Sequence, residues 1–271
     1  MPRGGVLALL LLAAALVGCR GDGGGGGDVA AVERAVRAGI EAENAGDVAA
    51  FLDLWTDDGL RSYDAGSRED LESGEARLGR EQTEVRAFVE TEVEGGKAAA
   101  TLDVRVEIGL YRMRYDLARQ DGRWRLNGFR FLGPTPPAPG VPVVEVRAVE
   151  YAYEVDTAAL AGGDIALRLV GAGQEAHELS LFALPGGGTK AEAVVALSAT
   201  PLPEGYRLVG HLAFAAPGDD LTYTLAERLP PGRYAMACFL PVGGLDAFGQ
   251  PAQPGAEPHV IRGMLTDFTV G

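Results

Sequence analysis

The apolar positions of this chain change rhythm along its length. Val6 to Val17 is a continuous run of valine, leucine and alanine. It has the length of a signal-sequence core and is too short to span a bilayer as a stable helix. From residue 28, DVAAVERAVRAGIEAEN sets Val29, Val32, Val36 and Ile40 three and four residues apart, which lines them on one helical face. Asn44-Ala45-Gly46-Asp47 predicts a helix stop and a fresh N-cap, with Asp47 accepting from the next turn's amides. Phe51, Leu54 and Trp55 continue the apolar face, and Asp57-Asp58-Gly59 predicts a turn. The period then falls to two. Ala98 to Ile108 and Leu110 to Leu117 alternate as strands, and Gln120-Asp121-Gly122 predicts a hairpin turn into Trp124 to Phe131.

GPTPPAPGVP, from Gly133 to Pro142, is the clearest internal boundary, because closely spaced prolines favour an extended connector and exclude helix. Beyond it the pattern is all-β. Val144, Val146 and Ala148 alternate with charged neighbours. Short strands follow at Asp164 to Val170, Glu178 to Phe182, Leu221 to Leu225, Tyr234 to Phe239 and Thr266 to Val270, many of them set off by Gly/Pro turns. The expected organisation is a signal segment (1–18), a Gly-rich tether (19–27), an α+β domain (28–133), a Pro-rich linker (134–142) and an all-β sandwich (143–271).

Composition narrows the setting. The formal charge is −14, with −7 over residues 28–133 and −8 over 134–271, so neither half supplies a basic footprint for nucleic acid. The apolar run ends in Leu16-Val17-Gly18-Cys19, which resembles the lipobox of bacterial lipoproteins. That resemblance implies lipid attachment at Cys19, a bilayer as partner and an extracytoplasmic location on the membrane. The glycines that follow suit a flexible tether. With Cys19 lipidated, Cys238 is the single remaining thiol, and no intramolecular disulfide can form. An unpaired thiol outside the cytoplasm is open to oxidation unless it is buried or bound.

The helical opening AVRAGIEAENAGDVAAFLDLWTDDG and the DGRWRLNGF ending resemble the nuclear transport factor two-like (SnoaL-like) family over roughly residues 28–132. The resemblance implies a cone of helices on a curved sheet. Enzymatic members carry an Asp/His or similar pair in the cone, but this half has no histidine. Its acidic runs, REDLESGE and RAFVETEVEGG, read as solvated faces. A scaffold or a small-ligand pocket is the expectation here, and catalysis finds no support.

The whole chain has three histidines: His177, His211 and His259. His177 enters a strand in GAGQEAHELSLF, Cys238 ends one in RYAMAC, and His259 and Met264 come just ahead of the last strand, in the order His, Cys, His-x4-Met. Each has a plainer reading taken singly: a core thiol, a gap-filling methionine, a hydrogen-bonded histidine. Together they supply two imidazoles, a thiolate and a thioether, a set that suits copper in both oxidation states. VVEVRAVEYAYEV, AHELSLF, LPPGRYAMAC and PHVIRGMLTDFTV resemble the cupredoxin (plastocyanin/azurin-like) family over residues 141–271. The resemblance implies a Greek-key sandwich holding one type 1-like copper, with His177, Cys238 and His259 equatorial and Met264 axial.

Twenty residues, 239–258, lie between Cys238 and His259, where most small cupredoxins have a few; they read as an inserted Gly/Pro-rich loop. His259, after that loop, is expected near the surface as the ligand through which electrons leave. His211 lacks such a context and reads as structural. One leftover histidine cannot build the second copper centre of a multicopper oxidase or nitrite reductase, so a single redox centre is expected rather than a self-contained copper enzyme. Three readings follow: a membrane-anchored copper electron carrier serving a redox partner protein, a copper-handling or storage lipoprotein without redox turnover, or a ligand-binding module on a metal-free cupredoxin scaffold.

Overall fold

The computed structural model describes residues 25–63, 67–74, 78, 82–245 and 251–271. The expected signal segment and the lipidation residue Cys19 lie outside the described residues. Helix α1 (Gly25–Asn44) starts three residues ahead of the boundary expected at 28, so Gly25 to Gly27 belong to its first turn and not to a tether. Asp28 in that turn complements the positive end of the helix dipole. Among the described residues no helix is long and apolar enough to cross a membrane.

The protein is mostly β-sheet with few helices. After α1 come α2 (Val48–Leu54), α3 (Asp57–Ser62) and α4 (Arg68–Ser73). Asp47 caps α2 by accepting from the Ala50 amide at 3.0 Å. The turn expected at Asp57-Asp58-Gly59 is instead the start of α3. Thr56 caps that helix by accepting from the Gly59 amide at 2.9 Å, and the two aspartates occupy the first turn, where the dipole favours them. Gly59 is required by close approach, since a Cβ there would stand 2.6 Å from the Leu126 carbonyl oxygen.

Strands β1 (Thr83–Glu94), β2 (Lys97–Val106), β3 (Gly109–Gln120) and β4 (Arg123–Pro134) pair antiparallel in sequence order. The β3–β4 turn has Asp121 at φ 51° and Gly122 at φ 78°, the positive values that two-residue hairpins need. The sequence pattern marks no strand at β1, whose glutamates interrupt the apolar alternation. The helices cover this sheet through a core that includes Val32, Val36, Phe51, Trp55, Leu102 and Leu126.

The second half contains β5 (Val143–Val149), β6 (Ala152–Val155), β7 (Ala166–Gly171), β8 (His177–Leu184), α5 (Lys190–Leu197), β9 (Arg207–Ala215), β10 (Asp220–Leu225), β11 (Gly232–Ala237) and β12 (Leu265–Val270). Four strands run in the order β12-β11-β8-β9, and β10-β7-β5-β6 face them across a second core, with β5 and β7 parallel. The pattern also marks neither α5, whose buried face is mainly alanine, nor β9, which Gly210 and His211 interrupt.

The connector does not leave the two halves separate. At Pro134 β4 ends, and β10 takes its place on the same edge of β3, with Thr224 opposite Leu110 and Leu225 opposite Gly109. One eight-stranded sheet therefore passes through both halves. Thr135, at the start of the expected linker, is buried. Its amide donates to the Leu110 carbonyl at 2.9 Å, and its carbonyl accepts from Thr224 Oγ1 at 2.8 Å. Pairing a strand edge satisfies backbone groups that would otherwise be left open, which is why the connector is tied down here.

Candidate metal centre

The site forms at one end of the β12-β11-β8 ladder. His177 opens β8, and Cys238 directly follows β11, its antiparallel neighbour. His259 and Met264 lie in the turn that leads into β12. Backbone bonds fix this turn against Cys238: the Val260 amide donates to the Cys238 carbonyl at 2.8 Å, and the Cys238 amide donates to the Met264 carbonyl at 3.2 Å. The Met264 amide donates to the His259 carbonyl at 3.1 Å. All four residues are completely buried.

Three of the four sequence-derived donors meet. The candidate ligand atoms of His177, Cys238 and His259 lie within 4.8 Å of one another. The two Nδ1 atoms are 3.2 Å apart, and Cys238 Sγ is 3.4 Å from His259 Nδ1. Met264 packs in the same core as Cys238 and joins the cluster through its backbone. His211 stands apart, exposed on β9, with its Nδ1 2.7 Å from Ser180 Oγ.

Electrostatics define what this cluster lacks. Burial pushes the Cys238 thiol up to about 12, although the backbone amides of Glu178 and Leu240 pull the other way. Burial, with the neighbouring His259, pushes His177 below the ordinary imidazole value, so it is neutral and keeps a lone pair. His259 Nε2 lies 3.0 Å from Glu175 Oε2. A carboxylate only accepts, so the proton sits on Nε2 and the His259 Nδ1 lone pair points at the sulfur and at His177. A hydrogen bond from His177 Nδ1 could serve that one lone pair. It would leave His177 Nε2, which has no partner, a bare buried acceptor, and the thiol with the long bond from the Glu178 amide at 3.4 Å.

A cation suits the same atoms better. An ion bonded at about 2.0 Å to nitrogen and about 2.3 Å to sulfur would subtend roughly 105° across the 3.2 Å and 3.4 Å separations, close to the tetrahedral value. The His/His/Cys set, with mixed hard and soft donors, is compatible with copper.

No family model and no curated protein matches this chain. Solved structures similar to it include a nuclear transport factor two-like protein of unknown function from Shewanella baltica, at 10% identity, covering 43% of this chain and all (100%) of that one, with a TM-score of 0.30. A ketosteroid isomerase-like protein from Erwinia carotovora atroseptica is 19% identical and covers 40% of this chain and 98% of its own, with a TM-score of 0.29. Reduced auracyanin from the photosynthetic bacterium Roseiflexus castenholzii is 22% identical and covers 49% and 99%, with a TM-score of 0.27. Scores this low assign no family, and the reading of the site rests on its own geometry.

One expectation is overturned. His259 is fully buried, with Glu175 and Tyr151 on its imidazole and the described ends of the insertion, 239–245 and 251–258, beside it. Pro241 pairs with Pro258, the Val242 amide donates to the Glu257 carbonyl at 2.9 Å, and the His259 amide donates to the Leu240 carbonyl at 2.9 Å. The insertion is thus pinched shut at its base, and its Gly243 amide reaches Glu175 Oε2 at 2.9 Å. Glu175 and Tyr151, which together screen His259, carry no sequence signal beyond Glu175's place two residues before His177.

In the first half, aromatic rings pack together among the described residues. Phe51, Trp55, Tyr63, Tyr115 and Phe129 form a chain of ring contacts at 4.9–6.2 Å. Tyr63 donates to Glu43, and burial raises its phenol far above the ordinary value.

Proposed function

We propose that this protein is a membrane-anchored, extracytoplasmic copper protein that carries single electrons to or from a partner protein. The observation that carries the reading is the convergence of His177 Nδ1, His259 Nδ1 and Cys238 Sγ in a fully buried cluster. In this reading the two imidazoles and the thiolate would hold the ion, Met264 would add a weak thioether donor, and Cys19 would bear the lipid. A cupredoxin-like sandwich holds the site, and a nuclear transport factor two-like half acts as scaffold.

Copper so bound supplies one-electron chemistry, which neither half offers through its side chains alone. The protein's part is to hold the donors where either oxidation state finds them. His177 is fixed by its pairing with Ala215 of β9, Cys238 by backbone bonds to Met264 and Val260, and His259 by backbone bonds to Leu240 and Met264. The Glu178 amide, donating to Sγ at 3.4 Å, steadies negative charge on the sulfur once the proton leaves. Burial excludes water from the ligand set.

The test is metal content with visible absorption. Copper-loaded protein is expected to hold one ion and show an intense thiolate-to-copper band. Cys238→Ser should abolish the band and most of the binding while circular dichroism stays unchanged. Wild-type protein that retains no copper on equilibrium dialysis overturns the reading in favour of a metal-free scaffold. A second reading, copper handling without redox turnover, is favoured by one observation: no ligand edge of His259 is exposed. Tight Cu(I) binding without reversible oxidation would select it.

A further inference from the structure

Glu175 is held as firmly as the cluster it touches. Oε2 accepts from His259 Nε2 at 3.0 Å and from the Gly243 amide at 2.9 Å, and Oε1 accepts from the Tyr151 hydroxyl at 3.3 Å. Three segments meet on this carboxylate: the β5–β6 turn, the loop before β8 and the insertion after Cys238. The β5–β6 turn contributes twice, because Glu150 also accepts from the amides of Gln174 and Glu175 and so pins the backbone that carries the carboxylate.

Tyr151 sits at φ 62°, a conformation that side chains other than glycine and asparagine rarely adopt. Its ring packs edge-on against His259 at 5.1 Å. A strained bulky residue persists where its surroundings over-determine it, and here they are the cover of the site.

We propose that Glu175 is a positioning residue for His259. It holds the proton on Nε2, so that the Nδ1 lone pair always faces Cys238 and His177, and with Tyr151 and the Gly243 loop it closes the edge of the imidazole to solvent. The consequence for metal rests on the copper reading above, whereas the consequence for the imidazole does not. A neutral histidine in water samples both tautomers, so an imidazole preset in one of them spares the metal that selection. Outer partners of this kind typically change metal affinity about 10–100-fold when removed.

The experiment therefore begins on metal-free protein labelled with nitrogen-15 at histidine, at a pH above the imidazole range. Long-range proton–nitrogen correlation is expected to find His259 protonated at Nε2 alone. Glu175→Ala should give a mixture of tautomers. Glu175→Gln, whose amide oxygen still accepts, should restore the wild-type form. With copper added, Glu175→Ala should lose affinity about 10–100-fold and release the ion to a chelator correspondingly faster, with Glu175→Gln intermediate. A Glu175→Ala protein that keeps the single Nε2–H tautomer and copper affinity within about twofold of wild type overturns the proposal. Wild-type protein that takes up no copper but shows the Glu175-dependent tautomer sinks the copper reading and leaves the positioning role standing.

Discussion

The two interiors of this molecule treat buried polar atoms in opposite ways. In the helical half some end on partners, as where Tyr63 donates to Glu43 and Thr56 Oγ1 donates to Asn127 at 2.7 Å, and others on none. The orphans there among the described residues, Trp55 Nε1, Trp124 Nε1 and Arg125 Nε, are N–H donors that no cation could serve. At the end of the sandwich, two nitrogens and a sulfur instead turn toward one another. Donors left without acceptors offer a cation nothing to bind, whereas two nitrogens and a sulfur that face one another can hold one. The contrast sets the candidate metal centre in the second half apart without reference to any relative.

The largest expected effect puts that contrast to a direct test. An ion that binds only the folded cluster stabilises by about 4 kcal/mol when its free concentration is about a thousandfold above Kd. Hydrogen exchange with and without copper should therefore slow in β8, β11 and the turn from His259 to Met264, and stay unchanged in α1 and β2. Uniform slowing throughout, or none anywhere, would break the comparison.

A smaller effect should appear in the first half alone. Gly59→Ala places a methyl against the Leu126 carbonyl oxygen and the Asn127 Cα, backbone atoms at 2.6 and 2.9 Å that cannot swing aside. Overpacking of this kind costs about 1–3 kcal/mol. Both tryptophans of the chain, Trp55 and Trp124, lie in this half, so tryptophan fluorescence reports it directly. The fluorescence midpoint should fall while the visible band of copper-loaded protein keeps its position and intensity. A bleached band would mean that the metal cluster depends on packing in the helical half.

What the sequence reveals and what it hides divides along physical lines. His177, Cys238, His259 and Met264 stand out because the chain holds so few such residues and because they flank alternating strands. The cap at Asp47 and the turn at Asp121-Gly122 are equally legible, since a few adjacent residues decide each. The depth of His259 is hidden: the insertion reads as an open loop, and only non-local bonds, such as Val242 to Glu257, show it pinched shut. Glu175 is hidden for the same reason, since nothing in GAGQEAHELS says that its carboxylate meets an imidazole 84 positions away. β1 is masked by its own glutamates. The shared sheet is invisible too, because the proline-rich connector gives the local signal of a boundary while β3 and β10 pair across it.

That shared sheet decides whether the two interiors can be compared as separate bodies at all. The seam includes two residue pairs of β3 and β10, the Ala226 amide donating to the Ile108 carbonyl at 2.7 Å, the Tyr111 hydroxyl donating to the Leu212 carbonyl at 2.7 Å, contacts of Arg105 with Glu227 and of the His211 amide with Glu107, and the buried bond from Thr224 Oγ1 to the Thr135 carbonyl at 2.8 Å. Thr224→Val keeps the shape, removes that last bond and leaves a buried carbonyl short of a partner, at a cost of about 1 kcal/mol. If the seam couples the halves, wild-type fluorescence and the visible band should disappear together on heating, and the valine variant should separate them. Two probes that already melt apart in the wild type, or that remain superimposed with an unmoved midpoint in the variant, would mean that the strands merely touch and that each interior keeps its own stability.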